Sequence, residues 1–142
     1  MRIRSSATVG FATVGMLLLL GAGCSASVGT GSAAPEVGAR VLAPDNGSVW
    51  WEGTIDQVDG TIYTVKFNAD DKIVARPLTN IAPYPAGALA VEVGDAVVGE
   101  WTSGTFYAGT VAAISGNLAT VAWDDGSAPS EVATNRLTKT FK

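Results

Sequence analysis

The pattern of apolar and polar positions changes character twice along the chain. From Ala7 to Gly23 there is no charge, and the stretch centres on Met16-Leu17-Leu18-Leu19-Leu20. Its length is at the short end of the roughly 17 to 25 residues that span a bilayer. Ser25 to Ala34 (SASVGTGSAA) then has almost no bulky apolar residue and is predicted to be a flexible coil. Beyond it, short alternations bounded by turn residues take over. Thr61, Tyr63, Val65 and Phe67 fall on one face of a predicted strand, with Ile62, Thr64 and Lys66 on the other. Asn117, Ala119, Val121 and Trp123 repeat the arrangement. Helical periodicity is confined to about one turn near Thr134 to Arg136.

Sliding the chain against itself by 56 residues brings Val37-Gly38 onto Val93-Gly94, Val41 onto Val97, Gly53-Thr54 onto Gly109-Thr110, and Thr64-Val65 onto Thr120-Val121. A constant offset of this kind marks a duplicated unit. Each copy carries a strand with paired aromatics, Trp50-Trp51 or Phe106-Tyr107, and a candidate hairpin turn, Asp59-Gly60 or Ser115-Gly116. Gly53 and Gly109 lie inside strands, where glycine marks a bend or a close backbone approach. Short strands bounded by turn residues at this spacing predict an all-β barrel or sandwich in two tandem copies, over residues 36–83 and 93–142. The Pro- and Ala-rich stretch 84–92 is the predicted linker.

The amino end has the features of an address. Met1-Arg2-Ile3-Arg4, the apolar run, Gly21-Ala22-Gly23 and the single cysteine, Cys24, together resemble a bacterial lipoprotein signal peptide over residues 1–23. Leu20 lies four residues before the cysteine, where the usual pattern has a leucine at three. The resemblance implies lipidation of Cys24, cleavage just before it and a lipidated tether over residues 24–35. The protein would then be lipid-anchored in the cell envelope, at the outer side of the cytoplasmic membrane or at the outer membrane. An ordinary cleaved signal and an uncleaved anchor are the alternatives, although a spanning anchor needs neither the small residues nor the cysteine.

Cleavage would leave seven basic against thirteen acidic side chains, because the segment removed contains Arg2 and Arg4 and no acid. With the remaining Lys and Arg scattered, nucleic acid is not an expected partner, since phosphate neutralisation supplies most of that affinity. There is no histidine, and Cys24 is the only thiol. Zinc sites, Ser-His-Asp triads, Cys-His pairs and disulfides are therefore excluded. Asp70-Asp71 and Asp124-Asp125 lack the spaced oxygen ligands of a calcium loop and read as turn acids. No metal, cofactor or enzymatic activity is expected.

The second copy, with VGDAVVGEW, TFYAGTV and TVAWDDG, resembles a Tudor domain, which implies an all-β fold of two tandem SH3-like (Tudor-type) small barrels after the signal peptide and flexible tether. The first resembles one more weakly through VGARVLA, WWEGTI and YTVKF. The resemblance to tandem Tudor or Agenet-like pairs implies an aromatic cage at Trp101, Tyr107 and Trp123, with Asp125 beside it. Such a cage holds an ammonium by its attraction to ring faces, worth about 0.5 to 2 kcal/mol each. In the first copy Asp45 stands where Trp101 would be and Ala69 where Asp125 would be, leaving Trp51 and Phe67 as two walls, so that copy is expected to support and not to bind. The same aromatics could equally be the core of a small barrel. The function implied is a membrane-tethered, non-enzymatic module for a basic peptide, a methylated amine or a cell-envelope component. The alternative is an assembly lipoprotein that binds an envelope protein and has no small-ligand site.

Overall fold

A computed structural model describes residues 33–142. The signal segment, the lipidation at Cys24 and most of the tether lie outside the described residues. Ala34–Lys142 forms one compact unit that contains every described strand and all three buried clusters.

The unit is all-β and two-fold repeated, as the alternation predicts. The first repeat has β1 (Arg40–Pro44), β2 (Val49–Asp59), β3 (Ile62–Phe67), β4 (Ile73–Pro77) and β5 (Ala82–Pro83). The second has β6 (Ala96–Thr102), β7 (Thr105–Ser115), β8 (Leu118–Trp123), β9 (Ser130–Ala133) and β10 (Leu137–Thr138). In each, the first four strands form an antiparallel meander. The fifth then returns to the first, β5 onto β1 and β10 onto β6. β4 pairs only β3 and β9 pairs only β8, so each repeat is a small barrel-like sheet that stays open along one edge.

The hairpins form where glycine permits them. Asp59 pairs Ile62 and Ser115 pairs Leu118, with Gly60 (φ 63°) and Gly116 (φ 61°) supplying the left-handed residue of each two-residue loop. A Cβ on Gly53 would lie 2.7 Å from the Lys66 carbonyl oxygen and 2.7 Å from Val65 Cγ1. On Gly109 it would lie 2.5 Å from Val121 Cγ1 and 2.7 Å from the Ala122 carbonyl oxygen. These two strand glycines let neighbouring strands of each curled sheet approach closely. A register shift follows each, between Ile55 and Gln57 and between Val111 and Ala113, which adds local twist.

Three buried clusters hold the unit. Val41, Ile55, Tyr63, Val65, Phe67 and Ile81 fill the first repeat, and Val97, Val111, Val121, Trp123, Val132 and Leu137 fill the second. Between them Leu42, Trp50, Ala82, Val98 and Phe106 form the joint. There β2 meets β7 antiparallel, with Trp50 opposite Phe106 and Val49 opposite Tyr107. Trp50 thus faces its own counterpart in the duplication, so the repeats meet like the halves of an isologous dimer.

The structure adds features that the pattern does not announce. Leu78–Asn80 forms a 3₁₀ turn in the Pro-rich stretch, matching Thr134–Arg136 in the second repeat. Leu89 and Val91, in the predicted linker, pack against the second repeat's core. Phe141 crosses the other way: its side chain joins the first repeat's core, and its N–H donates to the Ile81 carbonyl at 2.9 Å.

Candidate binding site

The predicted cage aromatics converge. Trp101, at the end of β6, lies 5.5 Å from Tyr107 and 5.3 Å from Trp123 between ring centroids, and Tyr107 lies 6.3 Å from Trp123. Their planes are inclined by 59°, 36° and 72° respectively. Strand alternation explains the choice within Phe106-Tyr107: Phe106 is buried in the joint, and Tyr107 turns outward to meet Trp101. Trp123 is 5% exposed, and its indole N–H donates to Ser130 Oγ at 3.0 Å. Trp101 is 41% exposed and is the outer wall.

These centroid spacings are those of rings packed directly on one another. They leave no gap for an ammonium between the faces as they stand, and the free aromatic surface is that of Trp101 and the rim of Tyr107. Asp125 is exposed on the turn that follows β8. Its carboxylate accepts the Ser127 backbone N–H at 2.9 Å, and bonds from Ser127 hold it below the usual carboxylate range. The bonds that orient Asp125 are thus those of its own turn.

At the equivalent place in the first repeat there is a cavity of about 190 Å³, lined by Asp45, Trp51, Phe67, Ala69 and Asp70. Four of these are the 56-residue counterparts of Trp101, Tyr107, Trp123 and Asp125. The cavity exists because Asp45 is smaller than the Trp101 that fills the second repeat. As a missing wall, Asp45 implies a supporting role for the first repeat. The structure places the open space there. The signal was available, since an aspartate in a position otherwise aromatic changes both the volume and the charge of the site.

The two surfaces are neighbours. Val49 pairs Tyr107, and Trp51 follows two residues along the same strand, so Trp51 and Tyr107 share a face of the β2–β7 ribbon. Diagonal neighbours of this kind lie about 7–8 Å apart. Behind them, Arg136 Nε donates to Glu100 Oε1 at 2.6 Å, and Gly104 N–H donates to Glu100 Oε2 at 2.9 Å. Arg136, and then the Gly104 N–H, hold the Glu100 carboxyl below its ordinary value against a desolvation that opposes them. This bracing ties the β6–β7 turn, and hence Trp101, to the 3₁₀ turn before β10.

Fold and site together define an all-β tandem of two small barrel-like sheets with adjoining aromatic and acidic surfaces. Among solved structures, the chain is similar to the crystal structure of Arabidopsis thaliana AGDP1 AGD34, with 12% identity, 75% of this chain and 81% of that chain covered, and a TM-score of 0.47. It is also similar to the crystal structure of ADCP1 tandem Agenet domain 3-4, with 13% identity, coverage of 75% and 79%, and a TM-score of 0.44. No protein-family model and no curated protein matches the chain.

Proposed function

We propose that the protein is a non-enzymatic binding module, tethered to a membrane through lipid on Cys24, that takes a basic peptide, a methylated amine or an amine-bearing envelope component on the aromatic cluster of its second repeat. The observation that carries this reading is the convergence of Trp101, Tyr107 and Trp123, with one face of Trp101 left in solvent. A large exposed indole stacked on two other rings at the end of a strand is costly for solubility and suited to a cation.

Trp101 acts as a movable wall in this reading. Opening it gives up aromatic contacts worth about 0.5 to 1.5 kcal/mol each. A cation entering between the faces regains about 0.5 to 2 kcal/mol from each ring. The exchange is nearly balanced, so a lone ammonium binds weakly, and most of the affinity of a natural ligand comes from flanking contacts. The acidic mature chain attracts basic partners at long range, an effect that salt screens.

The test is an amide and indole NMR titration of residues 34–142 with peptides carrying lysine or mono-, di- or trimethyl-lysine, followed by soluble peptidoglycan fragments. Saturable shifts centred on the Trp101 indole, Tyr107 and Trp123 support the reading. Absence of shifts with every probe would leave the cluster as packing and favour the assembly role.

A further inference from the structure

The cavity of the first repeat has a built floor and a replaceable occupant. Its acid, Asp45, sits on clamped backbone: the Asp45 N–H donates to the Val49 carbonyl at 3.3 Å, Arg76 Nε donates to the Pro44 carbonyl at 3.0 Å, and Arg76 Nη2 donates to the Asp45 carbonyl. The Asp45 side chain, by contrast, has one charged partner among the described residues, Lys72, whose Nζ donates to Oδ1 at 2.6 Å. Lys72 comes from the loop after β3, which Asp70 holds by accepting the Lys72 backbone N–H at 3.0 Å. The Lys72 side chain is 44% exposed and that of Asp45 27%. Exposed pairs of this kind contribute only about 0.2 to 1 kcal/mol, so Lys72 is easily displaced.

We propose that the cavity between Trp51 and Phe67 is a binding site for a primary ammonium on a flexible stem, held by the Asp45 carboxylate, and that Lys72 of the same chain occupies that carboxylate when no ligand is present. Size sets the ligand class. A volume of about 190 Å³ holds about six waters at ~30 Å³ each, which is below the ~300–1,000 Å³ of small-molecule pockets. It accommodates the end of one side chain or a short amine. Chemistry sets the head group. An ammonium bearing N–H donates to a carboxylate at the distance Lys72 already shows, whereas a quaternary ammonium has no N–H and stays farther away. The aromatic walls then line the apolar stem. The site is separate in residues and in ligand preference from the aromatic cluster of the second repeat and does not depend on that cluster binding.

The experiment is an NMR titration of residues 34–142 at low salt with butylamine and, separately, butyltrimethylammonium, repeated on Lys72→Met and Asp45→Asn. Shifts on the Trp51 indole and on the amides of Asp45, Phe67 and Asp70 are expected to saturate with butylamine at lower concentration than with the quaternary probe. Removing the internal competitor in Lys72→Met should tighten butylamine by about two- to fivefold, and Asp45→Asn should weaken it at least as much. A dispersed spectrum confirms that each variant is folded. Equal or tighter binding of the quaternary probe, or unchanged or weaker butylamine binding in Lys72→Met, would overturn the proposal. Shifts confined to Trp101, Tyr107 and Trp123 would also overturn it while leaving the second repeat's role intact.

Discussion

Phe141 follows the second repeat in sequence, yet it is 6% exposed and packs with Val41, Ile55, Tyr63, Val65 and Ile81 of the first repeat. Replacing it by alanine removes a ring from that core and leaves a cavity among those residues. Core Phe→Ala changes cost about 3–5 kcal/mol, so a loss of at least about 3 is expected here. At about 4 °C per kcal/mol, the melting temperature of residues 34–142 should fall by about 12 °C. Urea unfolding followed by tryptophan fluorescence gives the free energy, and an amide spectrum gives the location. The shift changes in Phe141→Ala should centre on Val41, Tyr63 and Ile81, although Phe141 follows the second repeat in sequence. A loss under about 0.5 kcal/mol, the size of an ordinary surface change, would refute the packing. So would perturbations confined to residues 93–138.

Gly53→Ala and Gly109→Ala should each destabilise the unit by at least about 1–3 kcal/mol, because the new methyl meets backbone carbonyls that cannot swing aside; urea midpoints check this, and an unchanged midpoint would contradict the close approach. Acid should weaken the fold through Glu100, whose folded value lies below its ordinary 4.5 chiefly because of Arg136. Its contribution is fully present above that value and is lost as pH falls through the lower folded one. Asp95, depressed first by Lys139, acts in the same direction below 3.8, and Glu100→Gln should flatten the pH dependence of the urea midpoint in this range. In a lipoprotein-processing bacterium, metabolic labelling with a palmitate analogue should mark the full chain and spare Cys24→Ala. Equal labelling of the two would remove the tether from the account.

The local features of the fold were legible. Strand alternation located Tyr63, Val65 and Phe67, and Ala119, Val121 and Trp123, on the buried face. The two strand glycines announced tight curling because only a missing Cβ lets neighbouring backbone approach to such distances. The aromatics of the second repeat could be named because a repeated frame and adjacent-residue alternation leave Tyr107, and not Phe106, to face Trp101. What escaped depends on contacts between distant segments. A lone Phe141 after Lys139-Thr140 carries no periodic signal that assigns it to the first core. Leu89 and Val91 are too few to stand out from an Ala- and Pro-rich stretch. The first repeat's cavity escaped for another reason: in sequence Asp45 is a missing ring, whereas in space it leaves a charged gap.

The central claim is that the second repeat's exposed indole is a ligand surface, and the most direct test is calorimetric. Residues 34–142 and their Trp101→Ala variant would be titrated with a trimethyl-lysine peptide at matched salt. Loss of a ring face worth about 0.5 to 2 kcal/mol should weaken binding by roughly 2- to 30-fold, measured where urea curves show both proteins fully folded, because the variant also loses its contacts with Tyr107 and Trp123. Equal affinity in the two proteins, or no heat of binding in either, would contradict the claim and leave Trp101, Tyr107 and Trp123 as packing.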